Sequence, residues 1–154
     1  GIGEIVIRGW IVMDGYYKDT LATSEAMRGG WLYTGDLGRF DEEGYLYIVG
    51  RKKEMIKVGG QIVYAPEVEA AFCKHDAVLE VAVVGVPDSF RGEAVKAFVV
   101  FKEGKDVPAE DLRYFARQHL AHFKVPHTIE IRPTLPKNRT GKVDKELLKI
   151  GDKI

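Results

Sequence analysis

Three short stretches hold the side chains whose types and spacing can do chemistry. Tyr33-Thr34-Gly35-Asp36 puts a carboxylate after a glycine at a strand end. A carboxylate there can accept hydrogen bonds from two vicinal hydroxyls, such as those of a ribose. An Asp after a Gly also serves plain turn chemistry. Gly50–Glu69, GRKKEMIKVGGQIVYAPEVE, gathers Arg51, Lys52, Lys53 and Lys57 beside the pair Gly59-Gly60. Glycines let a ligand come close to the main chain, and cations beside such a loop suit an anion, phosphate above all. The same stretch is also readable as a solvated basic hairpin. Leu135–Lys142, LPKNRTGK, adds the cations Lys137, Arg139 and Lys142 and one glycine. Its Gly141-Lys142 ending is like that of a nucleotide-hydrolase phosphate loop, which needs a Gly at 136 and a Ser or Thr at 143. Pro136 and Val143 stand there. The hydrolase reading fails, and in isolation the stretch reads as a solvated basic loop.

Strands and helices must carry these stretches. Glu4–Arg8 reads as a strand, Lys18–Met27 as a short helix, and Trp31–Phe40 and Gly44–Val49 as antiparallel strands around the turn Asp41–Gly44. This first third is β-rich and punctuated by glycine, and its strands are expected to need partners from outside the chain. Beyond the basic joint the pattern changes. Pro66–His75 has helical spacing with proline in the first turn. Val81–Val86 reads as a buried strand broken by Pro87-Asp88, and Lys96–Phe101 and Thr128–Arg132 as further strands. Pro108–Ala121 is amphipathic, with Leu112, Phe115, Ala116, His119 and Leu120 on one stripe. Pro133–Gly141 reads as a loop and Asp144–Ile150 as a terminal helix. The expected fold class is α+β: a β-hairpin joint and a three-stranded sheet packed by helices over 50–154, preceded by a β-rich segment over 1–49.

Composition limits the function classes. At 154 residues, 45% hydrophobic and 30% charged, the chain can bury a sizeable core. Lys and Arg number 23, as do Asp and Glu, so net charge gives no support for a nucleic-acid partner. Cys73 is the only cysteine, which excludes an internal disulfide. No apolar run reaches the roughly 18–20 residues of a membrane helix. With no secretion signal in view, a cytoplasmic location is expected. His75, His119, His122 and His127 lack metal-ligand spacing and read as packing or surface groups, so no metal site is expected in the chain. Cys73 reads as a packing residue beside Phe72. The first residues, GIGEIVIRGW, start inside a strand without an initiator Met, and the chain reads as a piece of something longer.

Taken in order, GEIVIRG…VMDGYYKD, GGWLYTGDLG, GRKKEMIKVGGQIVYAPEVE, VAVVGVPDSFRGE, FKVP and LPKNRTGKVDK resemble the adenylate-forming superfamily of acyl-CoA synthetases, carrier-protein adenylation domains and firefly luciferase. The resemblance implies that 1–49 is the end of a large N-terminal domain and 50–154 a mobile C-terminal lid. It implies that Asp36 and Arg51 bind the nucleotide, that Lys53 is the hinge, and that Lys142 acts in adenylation. It further implies that Lys57, Gly59 and Gly60 border a passage for the pantetheine arm. Physical reasons stand beside these roles. Arg51 offers a planar fork of donors, and the Lys142 ammonium opposes negative charge building on a reacting phosphate. A hinge is needed because one site would serve two reactions. The family often has Asp at position 53, Arg at 145, and Pro-Ala where Ala65-Pro66 stands.

The implied reaction joins a carboxylic acid, of the fatty-acid type, to ATP and then to CoA, with Mg2+ held by the ATP phosphates and by the N-terminal domain. The partners are then the acid, ATP, CoA and that domain, and 1–154 alone is expected to be inactive. Two other readings compete. A ligase that passes the adenylate to a carrier protein should show an exposed apolar docking patch on the lid. A non-catalytic nucleotide-binding module would have no need to keep Asp36, Arg51 and Lys142 together.

Overall fold

The computed structural model describes residues 1–150; the last four positions of the expected lid, 151–154, lie outside the described residues. The chain divides into two compact units, Gly1–Lys53 and Glu54–Ile154.

The first unit is built on one long strand. β3 (Trp31–Phe40) takes β1 (Gly3–Ile7) along one edge, and β2 (Met27–Arg28) and β4 (Leu46–Arg51) along the other, all antiparallel. The short helix α1 (Thr20–Ala26) starts at Asp19, whose side chain accepts the Ala22 N–H. Within the unit β3 is paired on both edges, whereas β1, β2 and β4 each pair with β3 alone. The side chains differ from the backbone. Leu37 is the one large apolar side chain of this unit that is buried, while Trp10, Ile11, Tyr17, Phe40 and Ile48 are exposed.

The second unit is a sheet covered on both faces. β7 (Val78–Asp88) pairs along its whole length with β8 (Gly92–Phe101), and β9 (Thr128–Ile131) runs parallel to β8 on the other side. A parallel neighbour needs a crossover, which α3 (Ala109–His119) supplies. These are the three strands read from the sequence. A hairpin, β5 (Met55–Val58) with β6 (Gln61–Tyr64), extends the sheet through the pair Val58↔Gly92, so the sheet has five strands. β7 runs through Pro87, which was expected to end it. Proline lacks only an N–H, and β7 is an edge strand, where that donor is dispensable.

Alternation along β7 and β8 sorts the core into two layers. Val81, Val83, Val95, Ala97 and Val99 pack with Val68 and Phe72 of α2 (Ala65–Phe72) and with Leu112 and Ala116 of α3. Ala82, Val84, Phe98 and Val100 pack with Leu135 and with Leu148 of α4 (Lys145–Ile150). Burial on both faces explains why VAVVGV and VKAFVV read as nearly continuous apolar runs. The α3 stripe is narrower than expected, because His119 is exposed. Cys73 is also exposed, since α2 has ended before it.

Candidate functional site

Asp36 and Arg51 face each other across β3 and β4, and the Arg51 Nε donates to Asp36 Oδ1 at 3.0 Å. The bend that presents Asp36 is built locally. Gly35 sits at φ +74, the left-handed region that glycine enters freely. The Thr34 hydroxyl donates to the Ile5 carbonyl at 2.8 Å and accepts the Asp36 N–H at 3.1 Å. Glu4, which the sequence did not single out, accepts the Gly35 N–H at 3.2 Å and a hydrogen bond from Lys52 Nζ at 2.9 Å. The Lys52 contact outweighs desolvation and holds the Glu4 carboxyl below its ordinary value. Beside this frame lies a cleft of about 450 Å³ lined by Thr34, Gly35, Arg51, Lys52 and Lys53. It combines hydrogen-bonding groups with three cations, a chemistry suited to a sugar hydroxyl and a neighbouring phosphate. Lys53 is the middle residue of a single 3-10 turn, Lys52–Glu54.

In the second unit Gly59 and Gly60 form the turn of the β5–β6 hairpin at φ +55 and +82. That is the twist a two-residue hairpin turn requires. A Cβ at either position would meet nothing within 4 Å, so the main chain here lies open. The hairpin is held at its turn and along β5. Gly59 N–H donates to the Arg91 carbonyl at 2.9 Å, and Lys57 N–H donates to Glu93 Oε2 at 2.7 Å. Gly85 makes room for that carboxylate, because a Cβ there would come within 2.8 Å of Glu93 Oε1. Next to the turn lies a cleft of about 530 Å³ whose lining includes Gly59, Arg91, Arg113, Arg117, His122 and His127. His122 and His127, read from the sequence as surface or packing groups, share this basic lining. The only sequence signal for it was the recurrence of Arg and His around α3, which spacing alone does not assign to one cavity.

Lys142 lies on a loop organised by Asn138. One side-chain oxygen, Oδ1, accepts the Thr140 N–H at 2.9 Å, the Thr140 hydroxyl at 2.7 Å and the Lys142 N–H at 3.0 Å. Asn138 N–H donates back to the Lys142 carbonyl at 2.7 Å, and Gly141 turns the chain at φ +80. Lys142 is exposed, and no ion pair engages it among the described residues. Its neighbour Val143 packs on the Leu135–Leu148 layer, whereas Val95, in the lining of the basic cleft, belongs to the Phe72–Leu112 layer. The sheet therefore stands between the Lys142 loop and the core side of that cleft. Among the described residues no group of three or more His, Cys, Asp or Glu converges to hold a metal.

The family described as AMP-binding enzyme C-terminal domain matches residues 67–142. A long-chain-fatty-acid–CoA ligase of Bacillus subtilis is 50% identical over 141 residues, 92% of this chain and 25% of that protein. The o-succinylbenzoate CoA synthetase of Bacillus subtilis, solved with its acyl-adenylate intermediate, superposes with a TM-score of 0.91 at 36% identity, over 97% of this chain and 30% of that one. The amide bond synthetase McbA of Marinactinospora thermotolerans superposes with a TM-score of 0.91 at 40% identity, over 98% of this chain and 31% of that one. The chain thus spans about a quarter to a third of the length of these relatives.

Proposed function

We propose that this chain, whose residues 67–142 match the AMP-binding enzyme C-terminal domain family, is the C-terminal part of an adenylate-forming acyl-CoA ligase. In the first half-reaction a carboxylate oxygen of the acid attacks the α-phosphorus of ATP, and pyrophosphate leaves. Asp36 accepts hydrogen bonds from the ribose hydroxyls, Arg51 orients Asp36 and reaches the sugar or phosphate, and the Lys142 ammonium opposes the charge that develops on the α-phosphate. In the second, the CoA thiol gives up its proton and its sulfur attacks the acyl carbon. AMP leaves and a thioester remains. Lys57 and the open backbone of Gly59-Gly60 then border the path of the pantetheine arm. The chain's division after Lys53 supports a pivot at that residue, between the end of a large domain and a lid. Mg2+ would arrive on the ATP phosphates, since no carboxylate cluster among the described residues suits it.

One observation carries this reading. Lys142 and the glycine turn are associated with opposite layers of one sheet. Groups so arranged serve the same bound intermediate in succession, which is what two half-reactions in one site require. The identity of the cleft lining favours CoA over a carrier protein. Arg91, Arg113 and Arg117 beside Gly59 suit a phosphate-bearing thiol, whereas carrier docking calls for an apolar patch. The 50% identity with a long-chain-fatty-acid–CoA ligase supports a fatty acid as the acid.

The test uses the full-length protein with a panel of carboxylic acids, ATP and Mg2+, with and without CoA, following AMP and thioester. AMP and acyl-CoA accumulating together only when CoA is present is the expected result. Adenylate without CoA turnover would move the acceptor to another nucleophile. Lys142→Ala should abolish acid-dependent ATP–pyrophosphate exchange while synthetic adenylate plus CoA still yields thioester, and Gly60→Val should do the reverse. Loss of the same half-reaction in both variants would overturn the two-layer reading.

A further inference from the structure

Lys145, the first residue of α4, lies three positions after Lys142 and is directed away from solvent. Its Nζ lies 2.8 Å from Glu69 Oε1 on α2 and 3.1 Å from Glu54 Oε2, the first residue of the second unit. The side chains of Lys145, Glu54 and Glu69 retain only 18%, 25% and 22% of their exposure. Glu69 Oε1 is itself fixed, because it also accepts the Val83 N–H of β7 at 2.8 Å. The cation thus ties three distant parts of the chain to one point of the sheet.

The position is a costly one for a cation. A helix N-terminus carries partial positive charge, so a Lys in the first turn is opposed by the backbone dipole. Helix stability alone would select a carboxylate there, as at neighbouring Glu146. What Lys145 provides instead is a fixed foot for the Lys142 loop. Asp144 N–H donates to the Pro136 carbonyl at 2.8 Å, closing the loop, and Asp144 Oδ1 accepts the Glu146 and Leu147 N–H groups at 3.1 and 3.2 Å. The next residue is bolted to Glu54, immediately after Lys53. Resting on the reading of Lys142 as the adenylation lysine and Lys53 as the pivot, we propose that Lys145 is a positioning residue for adenylation. It fixes the distance from pivot to loop, so that one rotation delivers the Lys142 ammonium to a reproducible place.

The variants are Lys145→Met, Lys145→Arg and Glu54→Gln in the full-length protein, with Lys142→Ala alongside. Both half-reactions are measured separately. Lys145→Met should lower kcat for acid-dependent ATP–pyrophosphate exchange by about 10- to 100-fold, the scale of a small misplacement of a catalytic group. KM for ATP and the rate of thioester formation from synthetic adenylate should stay within about twofold. Lys145→Arg, whose fork can bridge the same two carboxylates, should restore the exchange rate. Glu54→Gln, which leaves the Glu69 pair to support folding, should show the same selective loss in smaller degree. A merely structural role would lower both half-reactions together, and that outcome overturns the proposal, as does full exchange activity in Lys145→Met. If Lys142→Ala keeps its exchange activity, the underlying reading has failed. If Lys142→Ala loses it and Lys145→Met does not, only the positioning role has.

Discussion

Asn138→Ala isolates the order of the Lys142 loop from the Lys142 charge. The substitution removes one oxygen that accepts three hydrogen bonds, at 2.9, 2.7 and 3.0 Å. Each intramolecular hydrogen bond contributes about 0.5–1.5 kcal/mol net, and exposed ones fall at the low end because water replaces them. The loop therefore loses about 1.5 kcal/mol of ordering, close to a factor of ten in the population of its ordered form. The main-chain bonds from Asn138 to Lys142 and from Gly141 to Asn138 remain, so the turn is loosened, not lost. At most the whole unit loses that same amount, which leaves a domain of ordinary stability folded at 25 °C. In the full-length protein ATP–pyrophosphate exchange should fall about tenfold, and the Thr140 and Lys142 amides should exchange with deuterium faster by a similar factor. Asn138→Asp keeps an oxygen acceptor and should keep amide protection. Amides that speed up while pyrophosphate exchange stays intact would refute the link between loop order and adenylation. Unchanged amides in Asn138→Ala would refute the hydrogen-bond reasoning itself.

Three further outcomes are expected. Gly60→Ala costs the second unit about 1–2 kcal/mol through its φ of +82 and not through any clash, so chemical denaturation should report that loss with an unchanged m-value. Arg51→Ala should weaken ATP binding by about tenfold, read from KM or calorimetry, while its exposed pair with Asp36 contributes under about 1 kcal/mol to stability. Glu130 gives a pH signature. Burial alone would raise its carboxyl, but hydrogen bonds and charges from Lys96 and Arg132 outweigh that and hold it below the ordinary value. A lowered folded-state value stabilises above the unfolded pKa near 4.3 and is lost as pH falls through the folded one. Glu130→Gln should therefore lower Tm at pH 7 by no more than a few degrees and flatten the decline of Tm below about pH 4.

Local rules made most of the second unit legible. The glycine pair Gly59-Gly60 among basic residues gave the hairpin β5–β6, and helical spacing over Pro66–His75 gave α2. What stayed hidden depends on partners far apart in sequence. Glu4 meets Lys52 across 48 positions and Lys145 meets Glu54 across 91, and nothing in either local pattern marks the pairing. Pro87 read as a breaker because the sequence does not say which strand lies at the edge. Asp36 and Arg51 are separated by one hairpin, yet the turn alone would set Asp36 opposite Gly50, and only a register shift between Leu37 and Gly38 brings Arg51 across from it.

The two core layers bear directly on the proposal that the second unit serves two reactions as a lid. A rotating domain exchanges one set of groups for another only if both sets keep fixed positions within it. β8 meets that need. Ala94 to Val100 are all buried, their side chains alternate between the layers, and the strand is paired on both sides. Under the proposed rotation at Lys53, fixing the layers to a shared strand would give a single movement two defined placements. Within the unit, the glycine turn is anchored through Arg91, just before β8, and Glu93 on it, and the Lys142 loop through Leu135 and Val143 in the opposite layer. A softer sheet would let the two positions drift independently. Cavities on β8, such as Phe98→Ala, should then degrade both half-reactions together, in contrast to the selective losses expected at Lys142, Lys145 and Gly60. Selective loss in Phe98→Ala would mean that the layers are not mechanically joined through this strand.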